Sequence, residues 1–337
     1  MGHLAFISGL AGLRLTADER RFLGDARPCG IILFKRNCET PDQVAGLISE
    51  ARVAIDGDVL VAIDQEGGRV QRLGPPHWRP LPPARAYAGI HAVEPARAIA
   101  LARAVARLTA DDLTSLGISV NCAPVADLPA PGAHDIIGNR AYGDDVAAIV
   151  ALAGAVAEGL MAGGVVPVIK HIPGHGRAGA DSHLALPVVT TDRATLSGTD
   201  FACFRRLAHL PAAMTAHVVY TAVDADAPAS TSARVMAEIV RGEMGFDGLV
   251  MSDDLSMKAL TGPIRARAEA VIAAGSDVAL HCNGDLAEMG EVAAGVPPLA
   301  GRAAQRFEAC LAITRRQTPF DRVAIEAELA RMLATGV

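Results

Sequence analysis

Short apolar runs alternate along the chain with stretches in which apolar residues recur at helical spacing. The runs are nearly continuous, which is typical of parallel strands buried on both faces and not of half-exposed antiparallel strands. They predict eight strands, at residues 4–8, 30–34, 59–63, 118–123, 165–170, 212–217, 248–252 and 277–282. Since a doubly wound sheet usually stops at about five to seven strands, eight strand–helix units predict an α/β fold of the (β/α)8 TIM-barrel type.

The stretches between the runs predict the helices of this barrel, most clearly at 40–55, 144–164 and 231–246. The first has Thr40 as its predicted N-cap and Pro41 in its first turn. No composition shift or linker rich in Pro, Gly and Ser divides the chain, so we expect one catalytic barrel domain over residues 1–337. The longest stretch without periodicity, roughly 64–90, follows the third strand and is predicted to be an elaborated active-site loop.

Composition and charge narrow the class of protein. Hydrophobic residues make up 51% of the chain, yet no uninterrupted apolar run approaches the ~20 residues that span a bilayer, so we expect no membrane association. The net charge of −6, with no basic run beside aromatic residues, argues against nucleic acid as a partner. A small molecule is the expected partner, and no obligate protein partner is indicated.

The six cysteines form no C-x-x-C pair and are spread through apolar segments. Such usage is typical of buried free thiols in a reducing compartment. The start of the chain has no basic region ahead of its first apolar stretch, which argues against an export signal. We therefore expect a cytoplasmic protein.

Polar residues gather where the predicted strands end. They are Asp64, Glu66 and Arg69 after strand three, Asn121 and Asp127 at strand four, Lys170 and His171 at strand five, His217 at strand six, Ser252, Asp253 and Asp254 at strand seven, and His281 at strand eight. Ionisable groups are costly when they are buried unpaired. Because barrel enzymes carry their chemistry at the carboxyl ends of the strands, these residues predict a functional site on that rim.

Five motifs on this rim resemble, in order, those of the β-N-acetylglucosaminidases of glycoside hydrolase family 3, in their short single-domain bacterial form. The motifs are "AIDQEGGRVQRL" (62–73), "IIGNRAYG" (136–143), "KHIPGHGRAGADSH" (170–183), "MTAHVVY" (214–220) and "GLVMSDDLSM" (248–257), and the match runs from about residue 4 to about residue 290. The resemblance implies a (β/α)8 barrel that removes terminal β-linked N-acetylglucosamine (GlcNAc) with retention of configuration. It also implies no metal, no organic cofactor, and a role in cytoplasmic recycling of muropeptides such as GlcNAc-anhydro-MurNAc.

The resemblance also implies the catalytic roles. Retaining hydrolysis needs a nucleophile that forms a covalent glycosyl-enzyme, and a group that protonates the leaving oxygen and later deprotonates water. The implied nucleophile is Asp253, and the implied acid/base is His183, oriented by Asp181. The ordinary pKa of histidine, about 6.5, suits this alternating duty, and residues two apart in an extended segment can face the same side.

The implied substrate-binding residues are Asp64, Arg72, Arg140, Lys170 and His171, which would hydrogen-bond the sugar hydroxyls and the acetamido group. His217 and Asp254 are assigned to support the residues that touch the sugar. The chain departs from the family where "NRAYG" replaces a more usual "DRSFG", with Asn139 in place of an aspartate.

Two features of the motifs carry expectations about the loops. Gly174, Gly176 and Gly179 are predicted to let the loop that carries the acid/base swing towards the pocket and withdraw. Glu66 precedes two glycines, which predicts a turn in which its carboxylate bonds the loop backbone.

Other interpretations of the residues stay open at this point. His171 and His175 have a spacing that binds zinc on a helix, although Pro173 opposes a helix there. A metal-dependent amidohydrolase barrel is an alternative, although it wants His-x-His after the first strand, where this chain has "FISGLAG". Lys170 could be a Schiff-base lysine. Asp253 could cap a helix, although Asp254 is the better cap, and the whole site could belong to a catalytically silent sugar-binding protein.

Overall fold

The eight predicted strands all form, and in the computed structural model, which describes residues 2–182 and 184–334, they close into one parallel barrel. The barrel strands are β1 (Leu4–Gly9), β2 (Pro28–Leu33), β3 (Leu60–Ile63), β4 (Val120–Asn121), β5 (Val166–Ile172), β6 (Ala212–Thr215), β7 (Leu249–Asp254) and β8 (Val278–His281). Each strand pairs with its neighbour in sequence, and β8 closes the barrel against β1 with Phe6 opposite Ala279. The carboxyl ends of all eight strands therefore meet at one mouth.

Burial on both faces explains the continuous apolar runs. All seven residues of β5 are buried. Along β3, Leu60 and Ala62 belong to the core inside the barrel, whereas Val61 and Ile63 pack into the larger core between the strands and the helices. Successive residues of a strand face opposite sides, so a strand between two apolar layers needs apolar residues at every position.

Helices surround the barrel in the order that the strand–helix alternation predicts. They are α1 (Ala17–Ala26), α2 (Pro41–Ile55), α3 (Ala84–His91), α4 (Pro95–Ser115), α5 (Val146–Ala162), α6 (Arg193–Gly198), α7 (Asp200–Arg206), α8 (Ile264–Ala274), α9 (Leu286–Gly295), α10 (Gly301–Thr314) and α11 (Arg322–Ala334), with a π-helix at Val235–Glu243 between α7 and α8. Within the described ranges, no helix combines the length and the apolar character that crossing a bilayer requires.

The three helices predicted most clearly are confirmed. The Thr40 side chain accepts the Gln43 N–H at the start of α2, as expected of an N-cap. Asp145 caps α5 in the same way through the Ala148 N–H. The third helix, expected over 231–246, takes the wider π form over its central nine residues, a difference in hydrogen-bond pattern that apolar periodicity does not reveal.

The segment after β3 covers the mouth of the barrel, as expected of an active-site loop, but it is more ordered than a loop. Residues 65–67 and 70–71 pair as an antiparallel ribbon, and Gly67 turns it with φ +102°, where a Cβ would lie 2.3 Å from the Pro82 carbonyl oxygen. Helix α3 was not predicted, because it is short and Pro83 gives it no side-chain cap. Its buried residue Tyr87 shows that tertiary packing stabilises it.

Candidate active site

A pocket of about 360 Å³ opens at the mouth of the barrel, where the strands end. Its lining combines polar residues (Asp64, Glu66, Arg69, Arg72, Arg140, Lys170, His171, Asp253 and Asp254) with apolar ones (Ile32, Phe34, Val70, Ile136, Met214, Met257, Leu280 and Cys282). The five residues that sequence analysis assigned to substrate binding all line this one pocket, together with the assigned nucleophile. Its volume lies near the lower end of the range of small-molecule sites, about 300–1,000 Å³.

Asp64 follows β3 directly and is held by two cations. Its carboxylate oxygens lie 2.9 Å from Lys170 Nζ and 2.8 Å from Arg72 Nη2. Burial alone would raise the pKa of Asp64, but the charges of Lys170 and Arg72 outweigh it and hold that pKa far below its ordinary value. Asp64 is therefore ionised and fixed in place on the pocket wall.

Glu66 forms the second centre of this network. Arg140 donates to both of its carboxylate oxygens at 2.8 Å, and Lys170 Nζ lies 2.7 Å from one of them. The turn expected at Gly67 forms, but the expectation that Glu66 bonds loop backbone is wrong, because the ribbon aims its side chain at these two cations. Burial alone would raise the pKa of Glu66, whereas Lys170 and Arg140 lower it to about 2.

Three cations and two carboxylates in this network leave a net charge of +1 beside the pocket. Arg140 uses three of its five N–H groups inside the protein, on Glu66 and on the Ile136 carbonyl. Lys170 uses two of its three, and Arg72 Nε has no partner within the described part of the chain. The network thus fixes its side chains and leaves donors for a polyhydroxylated ligand.

The Glu66 contacts predict the behaviour of a Glu66→Gln variant. Breaking a buried ion pair leaves the partner cations buried without a counter-charge. The free energy of unfolding at pH 7 should therefore fall by about 3 kcal/mol. Since the pKa of Glu66 is lowered, its contribution is complete above the ordinary value of 4.5 and is lost as the pH falls towards about 2. The free energies of unfolding of the wild type and the variant, measured with urea across this pH range, should therefore become equal at low pH. If the difference between the two free energies of unfolding does not change with pH, the ion pairs of Glu66 are not its cause.

His171 ends β5 beside the buried carboxylate of Asp127. Its Nδ1 lies 2.7 Å from Asp127 Oδ2, and its backbone N–H donates to Oδ1 at 3.1 Å. The nearby His171 ring outweighs burial and lowers the pKa of Asp127. This pair orients the imidazole of His171, which lines the pocket. Sequence analysis placed Asp127 on the rim without a role, since the pairing depends on how β4 and β5 meet.

Asp253 and Asp254 both line the pocket, but their carboxylates have different partners. Asp254 accepts the Ser256 N–H and the Cys282 N–H, each at 3.0 Å, and so closes the turn after β7. Asp253 Oδ1 accepts the Asp254 N–H at 2.8 Å. The expectation that Asp254 caps a helix is wrong, since the next helix begins only at Ile264 and Asp254 closes a turn. Asp253 is the carboxylate that remains for a ligand.

The surroundings of Asp253 keep it ionised. Burial alone would raise its pKa, but His217, His171 and Lys170 lower it overall. His217 lies behind the aspartates, with Nδ1 2.7 Å from Ser230 Oγ and Nε2 3.1 Å from the Asp254 carbonyl oxygen. Burial lowers the pKa of His217. Its position agrees with the supporting role expected for it.

Four other rim residues do not line the pocket or do so only in part. Ser252 is buried and its hydroxyl accepts the Leu280 N–H at 3.0 Å. Asn121 bonds the backbone of Gln65 through both ends of its amide, which fixes the start of the ribbon. His281 is buried and bonds Glu288 at 2.9 Å outside the pocket. Arg69 lines the pocket edge, and its guanidinium donates to the carbonyls of residues 135 and 136 at 2.8 and 2.6 Å. The rim pattern alone could not separate these structural roles from binding.

The loop at 173–187, called the catalytic loop below, follows β5. His183 lies outside the described residues, so the expected contact between it and Asp181 stays a prediction. A Cβ on Gly174 would lie 2.9 Å from Asp200 Cβ, and one on Gly176 would lie 1.8 Å from the Leu128 carbonyl oxygen. Close backbone packing therefore explains these two glycines. Gly179 alone of the three has open space around it, so any hinge lies there.

The structure decides against the Schiff-base lysine, and it gives His171 and His175 hydrogen-bond partners within the protein. Lys170 lies between two carboxylates, which hold its pKa above the ordinary value despite burial, whereas a Schiff-base lysine must lose its proton to attack a carbonyl. His171 bonds Asp127, and His175 Nε2 lies 3.2 Å from Ser182 Oγ. Across residues 2–182 and 184–334, no three His, Cys, Asp or Glu side chains gather in a way that could hold a metal ion.

Sequence analysis missed the aromatic side of the pocket mouth. Two guanidinium groups lie over the Phe34 ring, that of Arg72 at 4.9 Å and that of Arg36 at 5.1 Å from its centroid. Phe34 directly follows β2, and this position at a strand end could have predicted that it lines the pocket. Asn139, where the chain departs from the resemblance, is exposed and does not line the pocket.

Comparison with known proteins agrees with this geometry. The N-terminal domain of glycosyl hydrolase family 3 matches residues 1–308. A β-hexosaminidase of Alkalilimnicola ehrlichii is 42% identical over 279 residues, which cover 82% of this chain and 79% of that protein. One of Pseudomonas aeruginosa is 42% identical over 277 residues and 81% of each chain. The structure of NagZ from Neisseria gonorrhoeae in complex with N-trifluoroacetyl-D-glucosamine is 32% identical, with a TM-score of 0.87 over 98% of each chain.

Proposed function

The chain belongs to glycosyl hydrolase family 3 and is a β-N-acetylhexosaminidase, and we propose that it removes terminal β-linked GlcNAc from muropeptides such as GlcNAc-anhydro-MurNAc. The observation that carries the proposal is an ionised Asp253 in a pocket sized for one sugar and walled by fixed hydrogen-bonding groups. The analogue of N-acetylglucosamine bound to the gonococcal relative supports the same sugar here.

The polar wall would bind the hydroxyls of the terminal sugar. Asp64 accepts hydrogen bonds, and Arg72, Lys170 and Arg140 donate the N–H groups that they do not use inside the protein. His171, oriented by Asp127, offers its second ring nitrogen. The apolar lining residues, among them Met214, Met257 and Leu280, would supply an apolar surface for the sugar face and the acetamido methyl group.

The first chemical step forms a bond between a carboxylate oxygen of Asp253 and the anomeric carbon while the bond from that carbon to the leaving oxygen breaks. His183 gives its proton to the leaving oxygen, which departs as an alcohol. Asp181 orients the imidazole of His183 and stabilises the imidazolium. The product of this step is a glycosyl-enzyme on Asp253.

The second step releases the sugar. A water molecule attacks the anomeric carbon, His183 accepts its proton, and the bond to Asp253 breaks, so that both residues return to their starting states. Two inversions at one carbon retain the β configuration. The Asp253 carboxylate suits both steps, because a low pKa makes it a nucleophile at neutral pH and a good leaving group afterwards.

We place this reaction in the cytoplasm. The six cysteines of the chain are free and buried, which agrees with a compartment that keeps thiols reduced. With GlcNAc-anhydro-MurNAc as the proposed substrate, release of GlcNAc would be a step in recycling the cell wall.

The test is turnover with and without a chelator. The purified protein should release GlcNAc both from a nitrophenyl β-N-acetylglucosaminide and from GlcNAc-anhydro-MurNAc, at rates that EDTA and a mild reductant leave unchanged, because the proposed steps use only side chains. A nitrophenyl α-N-acetylglucosaminide is the matched control and should not react.

Each failure has a separate meaning. Inhibition by EDTA that zinc reverses would favour the metal-dependent amidohydrolase. Binding of GlcNAc without turnover of either substrate would favour a sugar-binding protein. Turnover of the aryl glycoside alone would contradict the muropeptide substrate and leave the class of enzyme intact.

A further inference from the structure

The catalytic loop is anchored firmly in its first half. Tyr220 donates its hydroxyl proton to the Gly174 carbonyl, and Arg177 Nε donates to Asp200 Oδ2 at 2.6 Å. Asp200 and Tyr220 are both buried. These contacts fix the backbone up to Arg177, so any movement of the loop is confined to the residues beyond it.

Beyond Ala178, which is itself buried, Gly179 and residues 184–186 are exposed, whereas Ser182 is not. Leu184 is 68% exposed, and Leu186 is 38% exposed, whereas Ser182 is only 3% exposed. The Ser182 hydroxyl lies 3.2 Å from His175 Nε2, and its carbonyl accepts the Ala259 N–H at 3.2 Å. Ser182 thus attaches an otherwise exposed segment to the barrel from two directions.

The two residues that Ser182 contacts, His175 and Ala259, are both connected to residues of the pocket. The backbone N–H of His175 donates to Asp127 Oδ1 at 2.6 Å, and the same carboxylate orients His171 on the pocket wall. Ala259 belongs to the turn that follows β7, the strand that carries Asp253. Ser182 therefore fixes the distance between this part of the loop and the two walls that face the sugar.

We propose that Ser182 and His175 are positioning residues that hold the catalytic loop against the barrel and thereby position the acid/base residues for the leaving oxygen. The inference rests on the role proposed above for His183, which is the next residue after Ser182. A link through a hydroxyl and a ring nitrogen holds the loop without burying a charge, since burial and the His171 charge lower the pKa of His175 to about 4. Such a link closes and opens at a lower cost than an ion pair.

The test uses two variants that remove the link, Ser182→Ala and His175→Leu, and one that retains a donor near the position of Nε2, His175→Gln. Ser276→Ala is the matched control, because Ser276 is also a buried serine but its hydroxyl has no partner in the described ranges. Two readouts apply to each: hydrogen exchange at the amides of Leu184, Ala185 and Ala259, and kcat/KM for aryl β-N-acetylglucosaminides of increasing leaving-group pKa.

Loss of the link should speed exchange at these amides by about tenfold, because their hydrogen bonds to Asp181 and Ser182 persist only while the link holds the loop. It should lower kcat/KM by about tenfold for phenyl glycosides but by only about twofold for dinitrophenyl glycosides, which depart without a proton. His175→Gln should restore both values in large part. The double variant Ser182→Ala/His175→Leu should be no worse than the poorer single variant, since both remove one interaction.

Other outcomes overturn the inference. If Ser182→Ala has the same exchange rates and the same dependence of kcat/KM on leaving-group pKa as Ser276→Ala, the link positions nothing. Additive losses of kcat/KM in the double variant would lead to the same conclusion. The role of His183 is tested separately by the His183→Ala variant. If that variant loses the same factor with every leaving group while Ser182→Ala still speeds exchange, the proposed chemistry fails and the link stands.

Discussion

An Asp253→Asn variant is expected to lower kcat by about four to six orders of magnitude, because no other group at the site can form the glycosyl-enzyme. Asp253 is the next-to-last residue of β7, accepts one backbone N–H and lines the pocket. The amide keeps the shape of the side chain, so the fold should persist. The measurement is the steady-state rate with a nitrophenyl β-N-acetylglucosaminide, with the unfolding midpoint as the check on the fold.

Asp254→Asn is the matched control for this variant. Asp254 contacts the Ser256 and Cys282 N–H groups, and an asparagine oxygen can keep part of these contacts. We expect a loss of about tenfold together with a lower unfolding midpoint, since the turn after β7 is weakened. A 2-deoxy-2-fluoro or 5-fluoro glycosyl inhibitor should label Asp253. A peptide labelled at Asp254 would show that the assignment within the pair is wrong.

A His183→Ala variant is expected to lose more activity with leaving groups that must be protonated to depart than with leaving groups that depart as anions. The loss should be about 10³-fold for a sugar leaving group of high pKa and small in the first step for a dinitrophenolate. Because the second step needs a base toward water, the variant should form the Asp253 glycosyl-enzyme quickly and then stall. Stopped-flow measurement should show a burst of phenolate followed by slow turnover.

Azide should rescue the His183→Ala variant, since it attacks the glycosyl-enzyme without a general base, and the product should be the β-glycosyl azide. Asp181→Asn should fall between the wild type and His183→Ala, because it leaves the imidazole in place but removes the carboxylate that orients it. An equal loss on all leaving groups, without burst or rescue, would make His183 a binding or structural residue.

The apolar pattern was sufficient for the barrel because parallel strands between two apolar layers need apolar residues at every position. The positions of Asp64, Lys170, His171 and Asp253 at strand ends then placed them on one rim, since parallel strands all end on the same side. The resemblance added their roles. These inferences depend only on local periodicity and on the direction of the strands.

The partners of those residues depended on the tertiary structure. Glu66 and Arg140 are 74 positions apart in the sequence, and Asp127 and His171 are 44 positions apart. No local sequence pattern specifies a contact between residues so far apart along the chain. The same holds for Gly176, whose role is set by the Leu128 carbonyl and not by loop freedom. By itself the sequence determined which residues stand at the mouth of the barrel, because strand period and direction are local properties. Only the packing of one strand-end loop against another decided which carboxylate is held by cations, which closes a turn and which is left facing the pocket.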